Sequence, residues 1–258
     1  MESGKFAGTG RSMLIALLAD IHANREALEE CLAHAQAHNA ERCIFLGDLV
    51  NYGADPEWVI DRIIAYVSAG SVALLGNHDA AVREQRSSMD VPAQAAMEWT
   101  RVQLGAGHRS FLAGLPLTYE DGESLFVHAD ASAPRRWNYV LDSVDAARSL
   151  KATNHRLTFC GHVHRPATYN ISWTGQLTGF RPVTGTPVPL LRQRRWISVL
   201  GSVGQPRDGN PAASYAMLDT DKGEITYFRV PYDVESAAAK IRRAGLPAML
   251  AERLKWGQ

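Results

Sequence analysis

The sequence predicts an α/β fold, and three observations support this assignment. Continuous apolar runs at 14–19, 43–46 and 72–75 are typical of short strands that are buried on both faces. Two stretches with helical spacing of their apolar residues separate these runs. Because strands that alternate with helices form parallel βαβ units, a parallel sheet is expected in the first third of the chain.

Both helices of this first third have recognisable start and stop signals. Asn24 is placed to cap a helix that follows the first strand and ends near Asn39. Asp55 and Pro56 are typical of the N-cap and first turn of the next helix, and Gly70 fits the position just after its last turn. The predicted order is therefore strand, helix, strand, helix, strand.

The rest of the chain has a less regular pattern. Four further elements are expected, namely helices at about 92–104 and 143–150 and strands at 125–127 and 157–160. Residues 166–195 contain several Gly and Pro residues, which predicts a hairpin or a long loop. The runs 196–200, 214–218 and 224–230 predict an antiparallel meander of three consecutive strands.

Residues 1–12 are polar and Gly-rich, and we expect them to be a disordered tail or a remnant of an upstream sequence. The apolar run at 14–19 is too short for a signal peptide or a membrane span, so a cytoplasmic protein without membrane association is expected. The absence of an internal repeat or linker favours one domain over 13–258. That domain ends in a helix at about 233–255, with a kink near 245–247. The sequence gives no signal for the oligomeric state.

The composition limits the class of protein. Of the 258 residues, 46% are hydrophobic and 21% are charged, which is ordinary for a globular chain with a sizeable core. The 27 Lys and Arg residues balance the 27 Asp and Glu residues, so bulk positive charge does not support binding of a nucleic-acid polymer. The cysteines, Cys31, Cys43 and Cys160, are too few and too widely spaced for a disulfide framework or a CxxC zinc site.

Side chains that bind metals or transfer protons directly follow five of the predicted strands. In an open α/β sheet, ligands bind beyond the carboxyl ends of the strands, so these side chains are expected to converge. Any one of these motifs could be an ordinary polar turn. Ordinary turns do not explain why such motifs follow all five strands. The residues are Asp20 and His22, then Asp48, then Asn77, His78 and Asp79, then His128, and finally His162 and His164.

The donor types predict which ions such a site would hold. Asp20, Asp48 and Asn77 offer oxygen, and the histidines offer imidazole nitrogen. This mixed set suits transition metals better than Mg²⁺ or Ca²⁺, with Mn²⁺ favoured and Fe, Zn or Ni as alternatives. The donors exceed what one tetrahedral ion needs, so two ions are expected. Asp48 can bridge two cations because its carboxylate is anionic, whereas an amide cannot.

Together these motifs resemble those of the calcineurin-like metallophosphoesterases of the small bacterial type. The motifs are D-x-H at 20–22, G-D at 47–48, G-N-H-D at 76–79, the strand-end residue His128, and G-H-x-H at 161–164. The resemblance extends from about residue 14 to 218. It implies a four-layer αββα sandwich of two mixed β-sheets flanked by helices, with a two-metal centre at one edge.

The resemblance also implies roles for individual residues. Two sets of four residues would each hold one metal: Asp20, His22, Asp48 and His164 for the first, and Asp48, Asn77, His128 and His162 for the second. His78 would face the substrate as general acid for the leaving oxygen, and Asp79 would orient its imidazole; a helix N-cap is the other interpretation of Asp79. Arg207 and Arg25 are candidate phosphate contacts, although a surface or structural ion pair is the commoner role for an arginine.

The sequence departs from the common family pattern in three places. Asn51 stands where many members have a second Asp after Gly-Asp, a position from which we expect little effect on metal binding. Val199 and Leu200 replace the usual Asn-Pro before the turn at 201–209. The stretch 129–134 differs from the residues that usually follow the strand-end histidine, and it borders the expected substrate rim.

The implied function is hydrolysis of a phosphomonoester or phosphodiester of a small molecule or nucleotide by a metal-activated hydroxide. A protein Ser/Thr phosphatase is the alternative within the same family. A non-catalytic scaffold on the same fold is a second alternative, which is disfavoured because His78 and all the metal-binding positions are retained. A metal-assisted nuclease is a third, and the neutral net charge does not support it.

Overall fold

Two six-stranded mixed β-sheets pack face to face in the computed structural model, which describes residues 13–84 and 89–258. The expectation for residues 1–12 lies outside the described residues. The strands in chain order are β1 (Leu14–Leu18), β2 (Arg42–Phe45), β3 (Val72–Ala73), β4 (Thr118–Asp121), β5 (Ser124–Val127), β6 (Leu157–Cys160), β7 (Ala167–Ser172), β8 (Leu177–Phe180), β9 (Pro187–Pro189), β10 (Arg194–Val199), β11 (Ala213–Asp219) and β12 (Glu224–Val230).

Helices cover the outer faces of both sheets. They are α1 (Arg25–Ala37), α2 (Pro56–Ser68), α3 (Asn77–Ala81), α4 (Val91–Gln103), α5 (Ala106–Gly114), α6 (Ser143–Lys151), α7 (Val234–Arg243) and α8 (Ala248–Trp256), with a short 3₁₀ turn at Pro134–Arg136. Helices α1 and α2 pack on the first sheet, and α6 packs on the second. An apolar layer from both sheets fills the space between them. The predicted αββα sandwich is confirmed. Within the described residues, none of the helices combines the length and apolar character needed to cross a bilayer.

The first sheet has the order β3-β2-β1-β11-β12-β9, and β1, β2 and β3 run parallel in it. The second has the order β4-β5-β6-β10-β7-β8, and β5, β6 and β10 run parallel. The predicted unit β1–α1–β2–α2–β3 is confirmed. As expected, Asn24 caps α1, and its side chain accepts a hydrogen bond from the backbone N–H of Ala27 at 3.2 Å.

The predicted three-stranded meander is wrong. Strands β11 and β12 form the expected antiparallel hairpin in the first sheet, but β10 lies in the second sheet between β6 and β7. Trp196 packs between the two sheets, whereas Ile197 and Val199 belong to the apolar cluster under α6. A strand that buries both faces needs a central position in a covered sheet, which the edge of a meander does not provide.

The C-terminal segment forms two helices rather than one kinked helix. Gly245 has a left-handed φ of 70°, which ends α7, and Pro247 precedes the first turn of α8. The two helices pack together as a hairpin, and Ile241 and Leu254 share an apolar cluster with Tyr52. Lys240 of α7 also pairs with Asp55, with 2.9 Å between Nζ and Oδ2, so the hairpin is fastened to the N-terminal half of the chain.

Candidate metal centre

The turns after β1, β2 and β6 hold their polar side chains through unusual backbone conformations. Asp20 (φ 55°), His22 (φ 51°), Asp48 (φ 53°), His162 (φ 68°) and His164 (φ 60°) all have left-handed φ. Non-glycine residues seldom adopt this region, and each such residue costs on the order of 1–2 kcal/mol. These five polar residues make up half of the ten non-glycine residues with positive φ in the described part of the chain, so the fold maintains their side-chain positions at a cost in backbone strain.

One group of ligand atoms lies where the first two turns meet the end of β6. Oxygen and nitrogen atoms of Asp20, His22, Asp48 and His164 all lie within 4.8 Å of one another, and all four residues are buried. The Nε2 atoms of His22 and His164 are 3.2 Å apart. The Nε2 atom of His164 is 3.6 Å from an oxygen of Asp20, and that of His22 is 3.8 Å from Asp48.

A second group shares Asp48 with the first. It adds His128 and His162, and the ligand atoms of Asp48, His128 and His162 also lie within 4.8 Å of one another. Nε2 of His128 lies 3.3 Å from Oδ2 of Asp48, 3.2 Å from Oδ1 of Asn77 and 3.2 Å from Nδ1 of His162. The structure therefore brings together all seven residues that the sequence predicts as metal ligands, with the Asp48 carboxylate common to both groups.

Backbone carbonyls fix which nitrogen of each imidazole faces this cluster. Nδ1 of His22 donates to Val50 O at 3.2 Å, and Nδ1 of His164 donates to Gln205 O at 2.6 Å. His128 uses Nδ1 in the same way toward Leu46 O at 2.7 Å, and His162 uses Nε2 toward Trp137 O at 2.9 Å.

The other nitrogen of each ring consequently faces the cluster, where the neutral ring offers a lone pair to a metal ion. The Nε2 atoms of His22 and His164 face one another at 3.2 Å, and their lone pairs repel unless a cation lies between them. This donor set fits divalent transition metals, whose histidine ligands usually donate their second nitrogen to a carbonyl or carboxylate.

The charges of the cluster depend on burial and on Asp48. Burial alone would raise the pKa of Asp48, but the surrounding histidines, chiefly His128, overcome it and hold that pKa well below the usual range. Burial also acts against the imidazolium of His128, yet the Asp48 carboxylate outweighs it and raises the pKa of His128 to about 9. Burial raises the pKa of Asp20 to about 7, and the neighbouring Asp48 adds to this effect.

The remaining histidines are held neutral. Burial lowers the pKa of His22 and of His164 well below the ordinary value, and burial together with His128 lowers the pKa of His162 to about 3. A neutral imidazole is the form that binds a metal ion, so these three side chains need not lose a proton on binding one.

His78 lies beside the cluster at the start of α3. Its backbone N–H donates to Oδ1 of Asp48 at 2.9 Å, and its Nε2 is 3.9 Å from Oδ2 of the same carboxylate. Gly76 permits this close approach, because a Cβ atom there would lie 2.2 Å from both the backbone nitrogen and Oδ1 of Asp48. Burial lowers the pKa of His78, although Asp48 opposes the effect.

The expected orientation of His78 by Asp79 is wrong. The Asp79 carboxylate accepts backbone N–H groups, from Gly76 at 2.9 Å and from Leu49 at 2.9 Å. These hydrogen bonds connect the first turn of α3 to the turn after β2. Asp79 occupies position N3 of α3, and Gly76 is the N-cap. The amide of Asn51 contacts the His78 ring instead, with 2.7 Å between Nδ2 and Nδ1.

The two candidate phosphate-binding arginines have different surroundings. Arg207 lies over the ring of Tyr52 and donates through Nη2 to Oε1 of Gln205 at 3.0 Å. Its Nε is buried and has no hydrogen-bond partner among the described residues. Arg25 instead pairs with Glu29 at 3.3 Å and stacks on Trp58, and its side chain is 41% exposed. Arg207 thus lies beside a ring that borders the cluster, whereas Arg25 has Glu29 as its partner, and a phosphate contact by either arginine stays a prediction.

Aromatic rings border the cluster on two sides. The ring of Tyr52 lies 4.5 Å from that of His22 and 4.8 Å from that of His78. On the other side Tyr139 stacks on His162, with 4.1 Å between ring centres and 12° between planes, while remaining 46% exposed. Tyr52 could not be picked out from the sequence, because its neighbours in space come from distant parts of the chain.

Residues 13–223 match the family model of the calcineurin-like phosphoesterase superfamily domain. The chain is 32% identical over 252 residues to the uncharacterized protein MJ0912 of Methanocaldococcus jannaschii, and the match covers 95% of this chain and 98% of the relative.

Solved structures agree with this match. A metallophosphoesterase from Sphaerobacter thermophilus has a TM-score of 0.84 and 34% identity, covering 96% of this chain and all of the other. The protein PH1004 from Pyrococcus horikoshii has a TM-score of 0.78 at 17% identity, covering 95% and 98%, and this likeness bears on the fold alone.

Proposed function

Since this chain belongs to the calcineurin-like phosphoesterase superfamily, we propose that it is a metal-dependent hydrolase of phosphomono- or phosphodiester bonds in a small molecule or nucleotide. One observation carries the proposal. Four buried histidines, each held by a backbone carbonyl through one ring nitrogen, direct the other nitrogen toward a cluster in which the Asp48 carboxylate is common to both groups of donors. The likeness to a metallophosphoesterase at 34% identity over almost the whole chain supports the same assignment.

We expect two divalent transition-metal ions, with Mn²⁺ favoured and Fe, Zn or Ni as alternatives. Asp20, His22, Asp48 and His164 would hold one ion, and Asp48, Asn77, His128 and His162 would hold the other. When bound, the ions supply positive charge to phosphate oxygens and lower the pKa of a water molecule beside them.

We expect two further side chains to act on the substrate. His78 presents Nε2 toward the Asp48 side of the cluster, where it would give a proton or a hydrogen bond to the leaving oxygen. The buried Nε of Arg207 has no partner among the described residues and would donate a charge-assisted hydrogen bond to a phosphate oxygen. The retention of these groups beside a complete donor set argues against a non-catalytic scaffold.

The test is a substrate screen of the purified protein with Mn²⁺. We expect release of product from p-nitrophenyl phosphate, bis-p-nitrophenyl phosphate or members of a nucleotide panel, and the preference for monoester or diester narrows the class. A phosphoserine peptide in the same screen tests the alternative of a protein phosphatase. Protein that binds its metal ions yet hydrolyses none of these compounds would contradict the proposal.

Asp48→Ala supplies the matching loss-of-function variant. We expect it to abolish both metal binding and turnover, because it removes the carboxylate common to both groups. Asp221→Ala is the control, since Asp221 is exposed in the turn between β11 and β12. Metal binding is measured by titration calorimetry, so that a failure of binding is distinguished from a failure of catalysis.

A further inference from the structure

Asn51 is fully buried, and every polar atom of its side chain has a partner. Oδ1 accepts the backbone N–H of Tyr52 at 2.9 Å. Nδ2 lies 3.3 Å from the carbonyl oxygen of Ala93 and 2.7 Å from Nδ1 of His78. Both residues of the turn, Asn51 and Tyr52, have left-handed φ, of 76° and 68°, and this conformation directs the amide toward His78.

These partners leave only one orientation for the amide. A backbone N–H can only donate, so the atom that faces Tyr52 must be the oxygen. A backbone carbonyl can only accept, so the atom that faces Ala93 must be the NH₂ group. Rotation by 180° would place two donors against each other and two acceptors against each other. Nδ2 is therefore the donor to Nδ1 of His78, and Nδ1 must accept.

We propose that Asn51 is a positioning residue that fixes His78 as the Nε2–H tautomer, and that this restricts the enzyme to phosphoesters whose leaving group is stable as an anion. The inference rests on the proposed function and deepens it. It favours phosphoanhydrides, such as nucleoside polyphosphates, and aryl esters over simple alkyl monoesters.

The proton balance leads to this substrate class. Because Nδ1 accepts a hydrogen bond, the neutral ring of His78 carries its one proton on Nε2, which lies 3.9 Å from Oδ2 of Asp48. If that proton were fully transferred, the ring would become an imidazolate, because Nδ1 is occupied as an acceptor. His78 therefore keeps its proton and gives a hydrogen bond to the departing oxygen.

The P–O bond to the leaving group breaks with its electron pair on that oxygen, and a new P–O bond forms from water. The proton of the water passes to solvent, and the departed oxyanion takes its own proton from solvent. Such a leaving group must tolerate the negative charge unaided, as phosphate and phenolate do and as an alkoxide does not.

A carboxylate at position 51 would change this balance. In Asn51→Asp, one oxygen keeps the Tyr52 N–H. The other loses the hydrogen bond to Ala93 O, which repels it, and faces Nδ1 of His78 as an acceptor. The ring can then carry protons on both nitrogens and can give one away while keeping the other. The substitution should convert His78 from a hydrogen-bond donor into a general acid.

The first experiment reads the tautomer without any substrate. Nitrogen-15 NMR of Zn²⁺-loaded protein labelled at histidine, with His78 assigned by its loss in His78→Gln, distinguishes protonated from unprotonated ring nitrogens. We expect protonated Nε2 and unprotonated Nδ1 in the wild type, and a protonated Nδ1 in Asn51→Asp. A protonated Nδ1 of His78 in the wild type would overturn the inference.

The second experiment measures how turnover depends on the leaving group. We expect wild-type kcat to fall steeply from p-nitrophenyl phosphate to phenyl phosphate to glycerol phosphate. In Asn51→Asp, the ratio of kcat on p-nitrophenyl phosphate to kcat on glycerol phosphate should be smaller by about tenfold or more. This change lies within the roughly 10²–10⁴ that a positioned general acid contributes. Asn170→Asp is the matched control, because Asn170 is buried in β7 and contacts Arg194 rather than the cluster.

The two experiments separate failure of this inference from failure of the proposed function. Hydrolysis of none of the substrates would reject the proposed function, while the NMR result would still decide the tautomer. An active wild type whose kcat is insensitive to the leaving group would overturn the substrate restriction. So would a folded Asn51→Asp variant that protonates Nδ1 and keeps the wild-type leaving-group dependence.

Discussion

Replacement of Gly76 by alanine should damage the metal centre without altering any metal-binding side chain. The backbone of Gly76 is extended, with φ −97° and ψ 172°, so alanine meets no conformational barrier there. The added Cβ would nevertheless lie 2.2 Å from the backbone nitrogen of Asp48 and 2.2 Å from its Oδ1. Ordinary van der Waals contact begins at 3.4 Å, so Asp48 would have to move by about 1 Å.

The size of the effect follows from this displacement. Overpacking of a buried position costs roughly 1–3 kcal/mol, which we expect as a lower Tm of the metal-free protein. A shift of about 1 Å in a catalytic arrangement costs on the order of 10²-fold in rate. Because Asp48 is common to both groups of donors, we expect affinity for Mn²⁺ to fall by about 10–100-fold.

Calorimetric titration with Mn²⁺, thermal unfolding and kcat on p-nitrophenyl phosphate measure these three effects separately. Gly107→Ala is the matched control, since nothing lies within 4 Å of a Cβ atom at that position. It should leave metal affinity and kcat unchanged. If Gly76→Ala kept wild-type metal affinity and stability, the close packing of Asp48 against this glycine would not matter, and our account of the site would be wrong.

Four further predictions concern single groups of the site. His78→Ala should keep its metal ions, measured by elemental analysis. It should lower kcat by less than the roughly 10²–10⁴ of a general acid, because His78 gives only a hydrogen bond, and a wild-type kcat would remove His78 from the mechanism. Arg207→Ala should raise KM for a phosphomonoester more than it lowers kcat, whereas Asp221→Ala should do neither, and an unchanged KM would show that Arg207 does not bind phosphate. Because Asp48 raises the pKa of His128 to about 9, the charged form of His128 stabilises the metal-free fold fully below its unfolded pKa of 6.5, and this contribution is lost as the pH rises through 9. The Tm of the metal-free protein should therefore fall between pH 6.5 and 9. Binding of the ions at pH 7 should release protons, chiefly from His128 and from Asp20, whose pKa is about 7, and a titration in buffers of different ionisation enthalpy measures them.

The position of the site could be predicted from the sequence because it depends on strand ends. A run such as 43–46 identifies a strand, and the residue after a parallel strand lies at the same edge as its counterparts. This argument needs no knowledge of which strands are neighbours. It located Asp48 and the histidines from distant parts of the chain, and the structure brings them within 4.8 Å in two groups.

Contacts that depend on the path of a turn could not be predicted in this way. The sequence places both Asp79 and Asn51 close to His78. Asn51 is the one that contacts the ring, because Asn51 and Tyr52 both have left-handed φ in the turn after β2. Likewise, the apolar pattern of β10 identifies a strand without identifying its sheet. Trp196 packs between the two sheets, whereas Ile197 packs in the apolar cluster under α6. The ion pair of Arg25 with Glu29, one helical turn later, is a local contact that the sequence spacing allows but does not require.

The C-terminal hairpin packs against a residue beside the candidate metal centre, although the hairpin lies beyond residue 223, where the family match ends. Ile241 and Leu254 belong to the same apolar cluster as Tyr52, and the ring of Tyr52 lies against the rings of His22 and His78. Shortening the chain to the family boundary would thus expose a ring that lies against two histidines of the candidate metal centre, so residues 224–258 belong to the structural unit of the site.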